Sequence, residues 1–217
     1  MKLDHSHIDR IASEGLAKHG CHTAILYGSW ARGDATAESD VDLIWIRADG
    51  ERVRDAHIEN GIYVDGFVYP ESSLETLEPS LLRVLGGRVI EERDGYGTAL
   101  LARLQELEAA GPKPLPADER RAVLLWSQKM LERFAGKRDV DASYRRMQLF
   151  STALEDYFAL RGAWFCGSKA SFAWLRANDP SALRAFELAA EPGAADDAYS
   201  RLVAAVYGAF ENELTEP

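Results

Sequence analysis

Cysteine is almost missing from this chain of 217 residues: Cys21 and Cys166, far apart, are its two thiols. That excludes a disulfide framework and points to reduced cysteines in a cytoplasmic protein. Long apolar runs are missing as well. None approaches the roughly 18 residues that a membrane-crossing helix needs, so no membrane partner is expected. The first twenty residues are polar and charged, unlike a signal peptide. Positive charge is in deficit, with 25 Lys and Arg against 35 Asp and Glu and a net charge of −10. A protein that tracks a nucleic-acid backbone usually carries a basic stripe, so no nucleic-acid partner is expected. An acidic surface instead attracts small cations.

What is present is ordinary globular material, 47% hydrophobic and 28% charged, in a chain long enough to bury a core without metals or disulfides. Apolar spacing predicts a helix over 6–18, with Gly20 as its stop. Short apolar runs at 22–27, 41–46 and 62–69 read as strands, the last halted by Pro70. Between the last two, Asp49-Gly50 reads as a turn. A short edge strand is expected at 88–91 and a helix at 98–109. Three of the eight prolines then fall at Pro112, Pro114 and Pro116, a stiff extended connector. Beyond it the strand signal stops, and helices are expected near 118–134, 142–165, 168–176, 181–190 and 197–214. In the second of these, Tyr144, Met147, Leu154 and Phe158 are expected to form the apolar stripe. The fold class read from this pattern is α+β: an α/β domain with a small mixed sheet over 1–110, and an all-helical domain over 117–217.

The chemistry concentrates in Gly28-Ser29-Trp30-Ala31-Arg32-Gly33 and Ser39-Asp40-Val41-Asp42-Leu43. Carboxylates at i and i+2 of a strand share a face, about 7 Å apart. Like charges on so apolar a run are expensive unless a cation joins them, and magnesium takes a few carboxylates together with substrate phosphates. Asp65 is a third charge inside an apolar run. If its strand pairs beside that of Asp42, three carboxylates converge on one spot and can hold metal ions roughly 4 Å apart. Gly28 permits close approach of a phosphate, Ser29 offers a hydroxyl, and Arg32 a guanidinium fork. His19, Cys21 and His22 lie together too, but histidines at a helix end beside a capping glycine need no metal to explain them. Trp126, Trp164 and Trp174 are expected to serve packing.

The Gly-Ser turn, the Asp-x-Asp pair and the later carboxylate make residues 22–69 similar to the nucleotidyltransferase superfamily of DNA polymerase beta-like fold. The pattern looks most like its minimal and antibiotic-modifying members. The resemblance implies a magnesium-dependent enzyme that transfers a nucleoside monophosphate from an NTP such as ATP to a hydroxyl of a small acceptor, aminoglycoside-like molecules among them. Asp40, Asp42 and Asp65 would then be metal ligands and catalytic residues, and Gly28, Ser29 and Arg32 would hold the nucleotide. In some antibiotic nucleotidyltransferases a glutamate of the helical domain is the general base, which brings in Glu155, although spacing does not separate it from Asp156. Others use the third strand carboxylate, here Asp65. Lys169, at a helix start, is a further candidate for the triphosphate. The rival readings are an antitoxin-like nucleotidyltransferase fold that acts on or binds a partner protein, and nucleotide addition to RNA ends, which the acidic charge disfavours.

Overall fold

The computed structural model of the chain describes residues 5–36 and 38–214. Residues 1–4, 37 and 215–217, and with them the outermost residues of the two expected domains, lie outside the described residues. The chain divides into two units after Ala110.

In the first unit, α1 (His5–His19) buries Ile8, Ile11, Ala12, Gly15 and Leu16, the three-to-four spacing of an amphipathic helix. Gly20 ends it at φ +61°, where a side chain would be strained. A wholly buried strand follows, β1 (Thr23–Tyr27), then a single helical turn, α2 (Gly28–Arg32). Next come β2 (Val41–Arg47), β3 (Val53–Glu59) and β4 (Ile62–Pro70), and then two 3-10 turns at Glu71–Leu74 and Pro79–Val84. The unit closes with β5 (Arg88–Glu91) and α3 (Tyr96–Ala110). The strands form one mixed sheet in the order β3-β4-β2-β1-β5. β2 and β4 run parallel, and the other pairs are antiparallel.

The sheet is covered on both faces. Leu26, Val41, Leu43, Trp45 and Val64 pack on one face against Ile8, Ile11 and Leu16 of α1. On the other, Ile25, Tyr27, Ile44, Ile46 and Tyr69 meet Leu74, Leu81 and Val84 of the 3-10 turns and Leu100 and Leu104 of α3. Period-two alternation puts Asp42, two residues before Ile44, and Asp65, four before Tyr69, on this second face.

β3 is a strand where the sequence reading saw only turn chemistry. Its residues are mostly polar because it is a sheet edge, exposed along much of its length. It joins β4 through Asn60-Gly61, both at positive φ, the two-residue turn that suits the twist of a hairpin.

Trp45 locks α1 to the sheet. It is fully buried, and its indole N–H donates to the Ala12 carbonyl at 2.8 Å. A Cβ on Gly15 would come within 2.2 Å of the ring, and one on Gly66 within 2.1 Å. Gly15→Ala therefore overpacks this contact, a change that typically costs about 1–3 kcal/mol, against a helix-propensity gain of up to about 1 kcal/mol. A thermal melt several degrees below wild type is expected; an unchanged melt would mean that α1 moves aside freely.

The second unit holds α4 (Ala117–Phe134), α5 (Val140–Leu160), α6 (Ser168–Asn178), α7 (Pro180–Ala190), α8 (Asp196–Tyr207) and a 3-10 turn at Gly208–Leu214, with no strand among the described residues. Asp139 caps α5 by accepting from the Ala142 amide at 2.8 Å, and Asp179 caps α7 in the same way. The expected stripe on α5 is corrected at two positions. Leu154 and Phe158 are buried, but Tyr144 and Met147 are 61% and 63% exposed. The inward face continues instead through Ala142, Arg146 and Leu149. Arg146 tolerates burial because its guanidinium donates to the Phe134 and Lys137 carbonyls and to Asp196 and lies 4.7 Å from the Phe134 ring. An arginine held by two carbonyls and a carboxylate, its Nε left without a partner, took a position that hydrophobicity would have assigned elsewhere. The same helix ends at Leu160 rather than running to 165. Among the described residues no helix is long and apolar enough to cross a membrane.

Candidate active site

Three neighbouring strands bring the site together. Tyr27 pairs with Asp42 across β1 and β2, and Asp42 pairs with Asp65 across the parallel β2 and β4. Tyr27, Asp42 and Asp65 thus form one lateral row on one face, with strands about 4.8 Å apart. Gly28 follows Tyr27 directly, at φ +71°. A Cβ there would lie 2.1 Å from Asp42 Oδ2, so the turn comes close to the carboxylate only because residue 28 has no side chain.

The Asp42 carboxyl is partly buried, and its pKa is pushed up to about 6, first by burial and then by the negative charges of Asp40 and Asp65. Arg32 and Arg83 pull the other way. Asp40 is exposed just before β2, and Arg32 is exposed at the end of α2, 3.3 Å from Asp34. Ser29 is nearly buried, and its carbonyl accepts from the Gly33 and Asp34 amides, which closes the turn. Asp65 is engaged: Arg54 of β3 donates from Nε to its Oδ1 at 3.0 Å.

Arg54 and Arg83, which lie on this face and act on the carboxylates, escaped the sequence reading. Arg54 was legible in principle, since Asn60-Gly61 marks a hairpin whose first strand carries it. Arg83 was not, because it sits in an irregular 3-10 turn whose place over the sheet has no local signal.

The candidates of the second unit lie on its helices. Glu155 is exposed on α5, and Lys169 is exposed at the second position of α6. Asp156, next to Glu155, is partly buried and accepts from the Tyr207 hydroxyl at 2.6 Å. Burial is the main cause that pushes its carboxyl up to about 6. The histidines near the end of α1 have protein partners. His19 Nε2 meets Asp55 at 2.7 Å and His22 Nδ1 meets Thr23 at 2.9 Å, while burial pushes the Cys21 thiol up to about 11. Trp174 is 43% exposed, with its ring edge-on to Phe158.

Among the described residues no three His, Cys, Asp or Glu side chains already converge tightly enough to hold a metal ion. The chemistry of Asp40, Asp42 and Asp65 nevertheless fits a hard divalent cation such as magnesium. All three donors are carboxylates, and two of them raise the pKa of the third through a repulsion that a cation would relieve.

Neither protein-family models nor curated protein sequences yield a match to this chain. Among solved structures it is similar to a nucleotidyltransferase-like protein from Exiguobacterium sibiricum, with a TM-score of 0.45 and 18% identity over 96% of this chain and 74% of that one.

Proposed function

We propose that the chain transfers a nucleoside monophosphate from an NTP to a hydroxyl of a small-molecule acceptor and releases pyrophosphate. The observation that carries this reading is the pairing of Asp42 with Asp65 on adjacent parallel strands, with the side-chain-free Gly28 against Asp42 Oδ2. Asp40, Asp42 and Asp65 would hold magnesium, which when bound would neutralise charge on the phosphate oxygens. Gly28 and Ser29 receive the phosphates at the turn, and Arg32 and Lys169 add positive charge. Catalysis is then mainly positioning and electrostatic stabilisation. A polycationic acceptor of aminoglycoside type suits a chain of net charge −10.

The acceptor proton goes to Glu155 or to Asp65. Asp65 lies in the carboxylate row but shares its charge with Arg54, whereas Glu155 is exposed. A general base contributes about 10²–10⁴-fold. With Glu155 as the base, Glu155→Gln is expected to lower kcat at least tenfold while NTP affinity stays near normal. Steady-state kinetics of Glu155→Gln beside Asp65→Asn decides the matter: a silent Glu155→Gln with an inactive Asp65→Asn assigns the proton to the strand. The broader test offers labelled NTPs and magnesium together with aminoglycosides, protein partners and RNA ends. Transfer to none of them, with no magnesium-dependent NTP binding, overturns the reading.

A further inference from the structure

Arg83 lies on the same sheet face as the carboxylate row, and its charge is felt at Asp42. It is half-buried, and its hydrogen-bond partners are all neutral. Its guanidinium donates to the Ser80 carbonyl at 3.1 Å, the Tyr69 hydroxyl at 3.1 Å and the Tyr27 hydroxyl at 3.4 Å. It also stacks 4.9 Å from the Phe67 ring and 5.8 Å from that of Tyr27. Among the described residues no carboxylate stands in ion-pair contact with it. Arg52 and Arg54, on the same face, are paired with Glu78 and Asp65. A cation withdrawn from water without a counter-ion is costly, and the cost is recovered when an anion arrives. The rings and hydroxyls hold the guanidinium plane in place beforehand, so little ordering entropy is lost on binding.

We infer that Arg83 is a binding residue for the polyphosphate tail of the NTP, an assignment that rests on the nucleotidyl-transfer reading. A guanidinium fork matches phosphate oxygens. Tyr27, beside Asp42 in the row, also orients Arg83, so metal-binding carboxylates and polyphosphate-binding cation share one rigid support. Because the charge of Arg83 opposes a cation at Asp42, its removal should have opposite consequences for nucleotide and for metal.

Calorimetric titration of the full chain tests this. The four ribonucleoside triphosphates are titrated with magnesium, the tightest is compared with its own monophosphate, and manganese is titrated alone. Arg83→Gln is expected to weaken triphosphate binding about ten- to a hundredfold. Monophosphate affinity should change less than threefold, and manganese should bind as tightly as before or more tightly. Arg83→Lys should recover part of the loss; if Arg83→Gln does not fold, a loss in Arg83→Lys confined to the triphosphate carries the same comparison. Unchanged triphosphate affinity, or equal weakening of triphosphate and monophosphate, overturns the assignment and leaves Arg83 as a clip for its 3-10 turn. Wild-type protein that binds no triphosphate sinks the nucleotidyl-transfer reading itself, a failure distinct from the first because it precedes any substitution.

Discussion

Replacement of Asp42 by asparagine is expected to lower nucleotidyl transfer by about 10²–10³-fold, what removal of one electrostatic group at a reacting centre costs, while the metal-free protein becomes more stable at neutral pH. The two effects have one origin. In the folded chain the Asp42 carboxyl has a pKa of about 6, above its ordinary 3.8, so the fold holds this proton more tightly than the unfolded chain does. Ionisation of Asp42 therefore opposes folding. The penalty sets in as pH rises through about 3.8 and is complete above about 6. It amounts to at most about 3 kcal/mol at one pKa unit per 1.36 kcal/mol, and less where solvent screens the partly exposed group. Asparagine cannot ionise. The melting temperature of the variant should match wild type near pH 4, rise above it between pH 4 and 6, and keep that lead at pH 8. Saturating magnesium should shrink the lead, because it stabilises wild type alone. A variant that transfers nucleotide at the wild-type rate would remove Asp42 from the metal site. A melting difference that is flat with pH would mean that Asp42 is not strained by its neighbours.

Gly28→Ala tests the other side of the same contact. The backbone at φ +71° costs an L-residue about 1–2 kcal/mol, and the new methyl would lie 2.1 Å from Asp42 Oδ2. One of the two must shift, and misplacement by about 1 Å at a reacting centre can cost about 10²-fold in rate. The expected result is a lower melting temperature together with a loss of at least that size in turnover. Asp42→Ala separates the steric part from the conformational one, because it removes the atom that the methyl meets. The double variant should be less destabilised than the sum of the single ones by more than about 0.5 kcal/mol, the usual limit for independent sites. Strict additivity would show that the turn and the carboxylate do not touch.

The legibility of the carboxylate row and its blind spots have physical reasons. Asp42 and Asp65 stood out because charge inside an apolar strand is rare and costly, and that signal needs no partner to be noticed. β3 was overlooked because an edge strand keeps one side in water and so carries Arg54, Asp55, His57 and Glu59 without an apolar run. Asn60-Gly61 would have exposed it. Tyr144 and Met147 were expected inward and Arg146 was not considered, because single-residue hydrophobicity does not register that a guanidinium can be held inside by two carbonyls and Asp196.

The sequence by itself determined the character of the halves, strands and then helices, because hydrophobic period is a local property set by 2.0 or 3.6 residues per repeat. It also determined which residues carry unusual chemistry, since a lone aspartate in an apolar strand declares itself. Only the tertiary structure decided that β2 and β4 run parallel with Asp42 opposite Asp65, that Arg54 takes hold of Asp65, and that Arg83 arrives over the same face between Tyr27 and Phe67. Strand order, register and the path of an irregular turn depend on contacts between residues far apart in the chain, and no local pattern encodes them.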